Sequence, residues 1–175
     1  MAITRLGGAN AITGTIPTSV APGQGKVLQV VSTNKSDTWS SSGTGNFQAV
    51  TGLSLNITPS STSNKILIKT DVNMYVNDYG GGYSIFRGGS QIVTPSSVGS
   101  RSVANASHHT YGAANYQSNM GLNYLDSPSS TSSLTYAIYV FVRSGTYYVN
   151  RSSTDSDTDD YARTISTITA FEIAG

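Results

Sequence analysis

From Lys26 onward, apolar and polar positions alternate with a period of two, as strands with one buried face require. The clearest run is Lys65–Val76. Ile66, Ile68, Thr70, Val72, Met74 and Val76 fall on one side, and Leu67, Lys69, Asp71, Asn73 and Tyr75 on the other. Leu134–Arg143 alternates too, but both of its faces are largely apolar, which predicts a central strand. Shorter runs at Lys26–Thr33, Phe47–Val50, Leu53–Ile57, Tyr83–Arg87, Gln91–Thr94, Met120–Leu125, Tyr147–Arg151 and Arg163–Ile173 predict further strands.

Glycines and prolines mark the connections. Gly52, Gly80-Gly81-Gly82 and Gly88-Gly89 predict turns, and Ser144-Gly145 predicts a hairpin that pairs Tyr147–Arg151 with the strand before it. Residues 96–117 are polar and weakly periodic, which predicts a long loop with one ragged strand. The pentapeptide Pro-Ser-Ser-Thr-Ser occurs at Pro59–Ser63 and again at Pro128–Ser132, each time between two strands. Proline fixes φ and the hydroxyls bond local backbone, so both copies read as strand-to-strand corners. Nine to eleven short strands at near-regular spacing predict an all-β chain, a single β-sandwich and most simply a jelly roll, over residues 26–175.

Residues 1–25 break this pattern. Gly7, Gly8, Gly14, Pro17, Pro22, Gly23 and Gly25 leave no room for a long helix or strand. Yet Ile3, Leu6, Ile12, Ile16 and Val20 are spaced along the segment, unlike a flexible linker. The expectation is an extended N-terminal anchoring arm that lies along another surface.

Composition narrows the function. Of 175 residues, 28 are Ser, 21 Thr, 12 Asn and 18 Gly, and only 11% are charged, under half of the usual quarter. Hydroxyls and amides keep the surface wet. A net charge of +1, with no Lys/Arg cluster, lacks the electrostatic footprint of nucleic-acid binding. The longest apolar run, Tyr136–Val142, is far below the ~20 residues of a membrane helix. The first residues carry no apolar core of a secretory signal, and zero cysteines exclude disulfides, thiolate metal sites and a Cys nucleophile.

Catalytic and metal chemistry is sparse. Asp155, Asp157, Asp159 and Asp160 resemble the first half of a calcium loop, but the required glycine and the closing glutamate are missing, so a solvated hairpin tip is the simpler reading. His108 and His109 are the only histidines, and adjacent residues seldom reach one ion together. Ser32-Thr-Asn-Lys35 matches a Ser-x-x-Lys string without its companions. No nucleophile elbow, phosphate loop or zinc-protease motif occurs. We therefore expect no enzyme, no catalytic or metal residues and no cofactor. The tyrosines are more telling, because a flat apolar ring with a hydroxyl suits protein interfaces and sugar faces. Candidate contact residues, in the loops around Tyr79–Tyr83, Ser107–Tyr116 and Tyr147–Tyr161, are Tyr79, Tyr83, His108, His109, Tyr111, Tyr116, Tyr147, Tyr148 and Tyr161.

Several stretches resemble small virion structural proteins of tailed phages, most of all those of cyanobacterial hosts. They are the Met1-Ala-Ile-Thr opening, Gly25–Val31, Gly52–Ile68, Tyr124–Ser132 and the ending Ile165–Gly175. The resemblance implies a C1q/TNF-type jelly roll that assembles as a homotrimer and is found in the virion, put together in the host bacterial cytoplasm. It implies a tail-fibre-like appendage. Its arm would hold other virion proteins of the tail, baseplate or capsid, and its loops would contact host surface glycan. Neither nucleic acid nor membrane is an expected partner. A capsid decoration protein that stabilises the head is the alternative, and a polysaccharide depolymerase is a third reading.

Overall fold

The computed structural model describes residues 25–43, 45–97, 99–109 and 116–175. Eleven strands and no helix occur among these residues: β1 (Val27–Lys35), β2 (Trp39–Ser41), β3 (Gln48–Ile57), β4 (Lys65–Val76), β5 (Gly81–Arg87), β6 (Ser90–Gln91), β7 (Ala106–His108), β8 (Ser118–Asp126), β9 (Leu134–Val142), β10 (Tyr147–Val149) and β11 (Ser166–Ile173). They form two antiparallel sheets packed as a jelly-roll-type sandwich. One sheet runs β1-β11-β4-β10-β2, with β8 on the other edge of β4; the second runs β3-β9-β5-β6, with β7 also on β5. β11 pairs with Lys65–Asp71 and β10 with Met74–Val76, so the two lie end to end along β4.

The alternation read from the sequence sets which side chains meet between the sheets. Ile66, Ile68, Val72, Met74 and Val76 of β4 are buried, as are Tyr136, Ile138, Val140 and Val142 of β9. With Leu53, Leu55, Ile57, Ile85, Ile168 and Ala170 they make one core. Each Val, Leu, Ile or Met among them contributes about 1.5–3 kcal/mol by leaving water. Polar groups inside are matched across the sandwich. The Tyr83 hydroxyl of β5 lies 2.9 Å from Thr70 Oγ1 of β4.

Both Pro-Ser-Ser-Thr-Ser corners carry the chain from one sheet to the other, between β3 and β4 and between β8 and β9. A buried carboxylate braces each end. Glu172 accepts from the Ser60 backbone N–H at 2.6 Å and the Ser60 hydroxyl at 2.7 Å. Asp126 accepts from the Tyr136 hydroxyl at 2.6 Å and pairs with Arg87.

Local expectations are corrected in three places. The Ser144-Gly145 connection is not a hairpin: β10 leaves the sheet of β9 and pairs with β4 and β2. Gly81 and Gly82 belong to β5, not to a turn. A Cβ on Gly82 would stand 2.4 Å from the Ala106 carbonyl oxygen and 2.9 Å from Ala104 Cβ, so neighbouring chain packs directly on the bare backbone. Gly52 interrupts no strand; β3 runs through it, with a register shift between Ala49 and Ser54. The apolar Lys26–Thr33 run does form a strand, β1, which lies at a sheet edge with Val27, Leu28 and Val30 exposed. Gly88-Gly89, both at positive φ, does make the tight turn between β5 and β6, which ends by Gln91. Except for Gly25, the expected arm with Ile3, Leu6, Ile12, Ile16 and Val20 lies outside the described residues.

Candidate functional site

The sequence-chosen contact residues separate into three groups. Tyr83 and Tyr147 are wholly buried core residues, so neither can present a ring to a partner. Burial pushes both phenols above their usual range. Tyr148, Tyr161 and Tyr116 are spread over other parts of the surface. Tyr148 is half-buried, with its ring near Tyr75 and the Arg151 guanidinium 4.6 Å from its centre. Tyr161 is half-buried beside the acidic loop, and Tyr116 is 73% exposed. Tyr111 lies outside the described residues.

Tyr79, His108 and His109 come together. They line a cleft of about 250 Å³ with Gly80, Gly81, Gly82, Ser102, Ala104, Ser107, Phe141 and Arg143. The sheet dictates this meeting. Gly81 and Gly82 at the start of β5 pair with Val142 and Phe141 on one side and with His108 and Ser107 on the other. Three chain segments that are distant in sequence therefore open at one end of the second sheet.

The cleft joins an aromatic wall to cationic and polar groups. Arg143 is exposed, with its guanidinium 5.6 Å from the centre of the Tyr79 ring, itself 48% exposed. At that distance the ring face attracts the cation and holds it at the rim. Phe141 continues the wall into a ring cluster with Phe47, which in turn packs against Phe86 stacked on Tyr139. His108 Nε2 is buried and has no hydrogen-bond partner among the described residues. Desolvation, with the neighbouring His109 charge, holds the His108 imidazole below its usual range, so it stands neutral at pH 7. Such a ring offers one donor and one acceptor.

Sequence reasoning missed Arg143, Phe141 and Ser102. Arg143 carried a signal: it is the cation that ends a long apolar run, where a central strand must reach solvent.

The acidic loop is arranged differently. Arg163 donates to Asp155 through Nε at 3.0 Å and Nη2 at 2.8 Å, a two-pronged bond that lowers the carboxyl and raises the guanidinium. Among the described residues no three His, Asp or Glu side chains are placed to hold a metal ion.

A second surface feature lies on the outer face of the first sheet. Cross-strand pairing aligns Val30 of β1, Phe171 of β11, Leu67 of β4 and Leu125 of β8 in one row. Residues directly opposite share a face, so this apolar row spans about 14 Å of solvent-facing sheet. Val30 is 54% exposed and Leu125 47%; Val27 and Leu28 extend the patch. The described chain begins beside it, where the Gly25 N–H donates to the Ala174 carbonyl at 2.8 Å.

No protein-family model and no curated protein matches the chain. Among solved structures it is similar to that of infectious bursal disease virus, Gx strain, at 15% identity and a TM-score of 0.39, over 83% of this chain and 38% of that one. The VP2 subviral particle of the same virus gives 15% identity and a TM-score of 0.40, over 83% and 37%. The chain thus spans less than two fifths of these structures. Likeness at this level is no basis for function.

Proposed function

We propose that the chain is a non-enzymatic virion structural protein of a tailed phage, a trimeric tail-fibre-like appendage that contacts the host surface. The cleft carries this reading: Tyr79, Arg143 and the Ser107–His109 segment meet at an open end of the sandwich, on a molecule whose surface is otherwise hydroxyl-rich and nearly neutral. Exposed loops held by a rigid β scaffold are where contact residues concentrate. The apolar row beside Gly25 supports assembly, because an exposed apolar patch on a monomer marks a surface that another protein covers. A second copy of the chain is the occupant we assign to it, and the arm would dock the trimer on the tail.

That same row favours one other reading, a capsid decoration protein whose apolar face lies on the head lattice. Immunogold electron microscopy of intact particles, with antibody raised to the recombinant chain, separates the two. Gold confined to the tail end is the result expected of an appendage. Gold over the whole head would replace it with decoration, and particles without gold would remove both.

A further inference from the structure

The cleft also has a ligand chemistry. Its rim bears a guanidinium whose planar fork of donors fits a carboxylate. The ion pairs among the described residues are Lys35–Asp37, Arg87–Asp126 and Arg163–Asp155, which leaves Arg143 outside them. Its contact is one face of the Tyr79 ring, which is 48% exposed and so keeps further flat apolar surface for the C–H face of a sugar. Behind the lining, His108 Nε2 is buried without a partner among the described residues, so the imidazole forms a wall of the cleft rather than an open contact. Ser102 and Ser107 add exposed hydroxyls that can accept or donate. At about 250 Å³ the space lies below the usual range for drug-sized ligands, and it suits one pyranose unit rather than a long oligomer.

We propose that this cleft binds a hexuronic acid unit of a surface polysaccharide, with its carboxylate on Arg143, its ring face on Tyr79 and its hydroxyls on Ser102 and Ser107. The assignment rests on reading the cleft as the host-contact site, and it names the class of sugar that such a site takes. A neutral hexose would leave the guanidinium unmatched. A bare anion such as sulfate would leave the aromatic wall and the serine hydroxyls unmatched.

The test is a titration of the isotope-labelled full chain by NMR, with sodium glucuronate, methyl glucoside and sodium sulfate as separate probes. Glucuronate is expected to move the amide signals of Gly80, Gly81, Gly82, Ser107 and His108, and to bind at least about tenfold more tightly than either other probe. Arg143→Gln should abolish that preference. Arg151→Gln, which removes a guanidinium stacked on Tyr148 elsewhere, should leave it intact. Equal binding of the glucoside, equal binding of sulfate, undiminished binding by Arg143→Gln or no shift at tens of millimolar glucuronate would each overturn the proposal. Its failure is distinct from that of the functional reading. Gold over the head with uronate binding intact would remove host attachment but not the site, and gold on the tail without uronate binding would do the reverse.

Discussion

Glu172 is the one glutamate in the chain, and it is 1% exposed. No cation faces it. One carboxylate oxygen accepts from the Ser60 backbone N–H, the Ser60 hydroxyl and Asn64 Nδ2 at 2.5–2.7 Å, and the other accepts from Gln29 Nε2 at 2.6 Å. Burial by itself pushes the carboxyl upward. Hydrogen bonds from Asn64, Ser60 and Gln29 outweigh it and bring the group from 4.5 down to about 2. Those figures make its proton about 3 kcal/mol less welcome in the folded chain than in the unfolded one. A depressed carboxyl contributes stability that is fully present above pH 4.5 and is lost as pH falls towards 2. Glu172→Gln keeps the shape and removes the charge, while turning an amide donor toward other donors. At pH 7 it should therefore cost about 3 kcal/mol, or about 6–12 °C in Tm for a chain of this size. Near pH 2.5 the gap should shrink to under about 1 kcal/mol, because the unfolded carboxyl is then protonated and the pH lies only about half a unit above the folded value. Urea unfolding followed by the single Trp39, half-buried in β2, at fixed protein concentration reads both differences. Asp37 and Asp155, lowered by Lys35 and Arg163, titrate in both proteins and cancel. A loss under about 0.5 kcal/mol at pH 7, or the same gap at both pH values, would refute the account of a carboxylate held by neutral donors.

Three further outcomes follow from the same contacts. Asp126→Asn, at the second corner, breaks the pairing with Arg87 and weakens the bond from the buried Tyr136 hydroxyl; it should cost about 2–4 kcal/mol in the same urea assay. Gly82→Ala places a Cβ against the Ala106 carbonyl and should detach β7 from β5, seen as faster hydrogen exchange at Ala106–His108 with the β9 amides unchanged. Leu125→Asp puts a charge in the exposed apolar row and should convert the proposed trimer to monomers by light scattering with the circular dichroism of the sheets retained. A parent chain that is already monomeric would remove self-association from the functional reading.

How much was legible in the sequence depends on the range of the forces involved. Alternation in Lys65–Val76 and Leu134–Arg143 is a local record of burial, so the buried face of β4 and the central place of β9 were readable before any contact was known. The Pro-Ser-Ser-Thr-Ser corners were equally local. Partner choice was not. Ser144-Gly145 has the chemistry of a hairpin turn, yet Tyr147 and Val149 are drawn into the core from the opposite sheet, and β10 crosses over to pair with β4. Tyr83 and Tyr147 misled for the same reason, because a phenol in a strand reads alike at a rim and in a core until its hydroxyl partner is known; Thr70 supplies that partner for Tyr83.

The cleft shows the limit most clearly. Its members come from Tyr79–Gly82, Ser102–His109 and Phe141–Arg143, joined only because β5 pairs with β7 on one edge and β9 on the other. Residue type pointed to Tyr79, His108 and His109, while Arg143 gained its meaning from register. The low overall charge gives that register its weight. With ten cations and nine anions spread over 175 residues, a guanidinium placed on an aromatic rim stands out from its surroundings. Selectivity for a charged sugar would then depend on that single pairing, which is why replacing Arg143 alone should remove it.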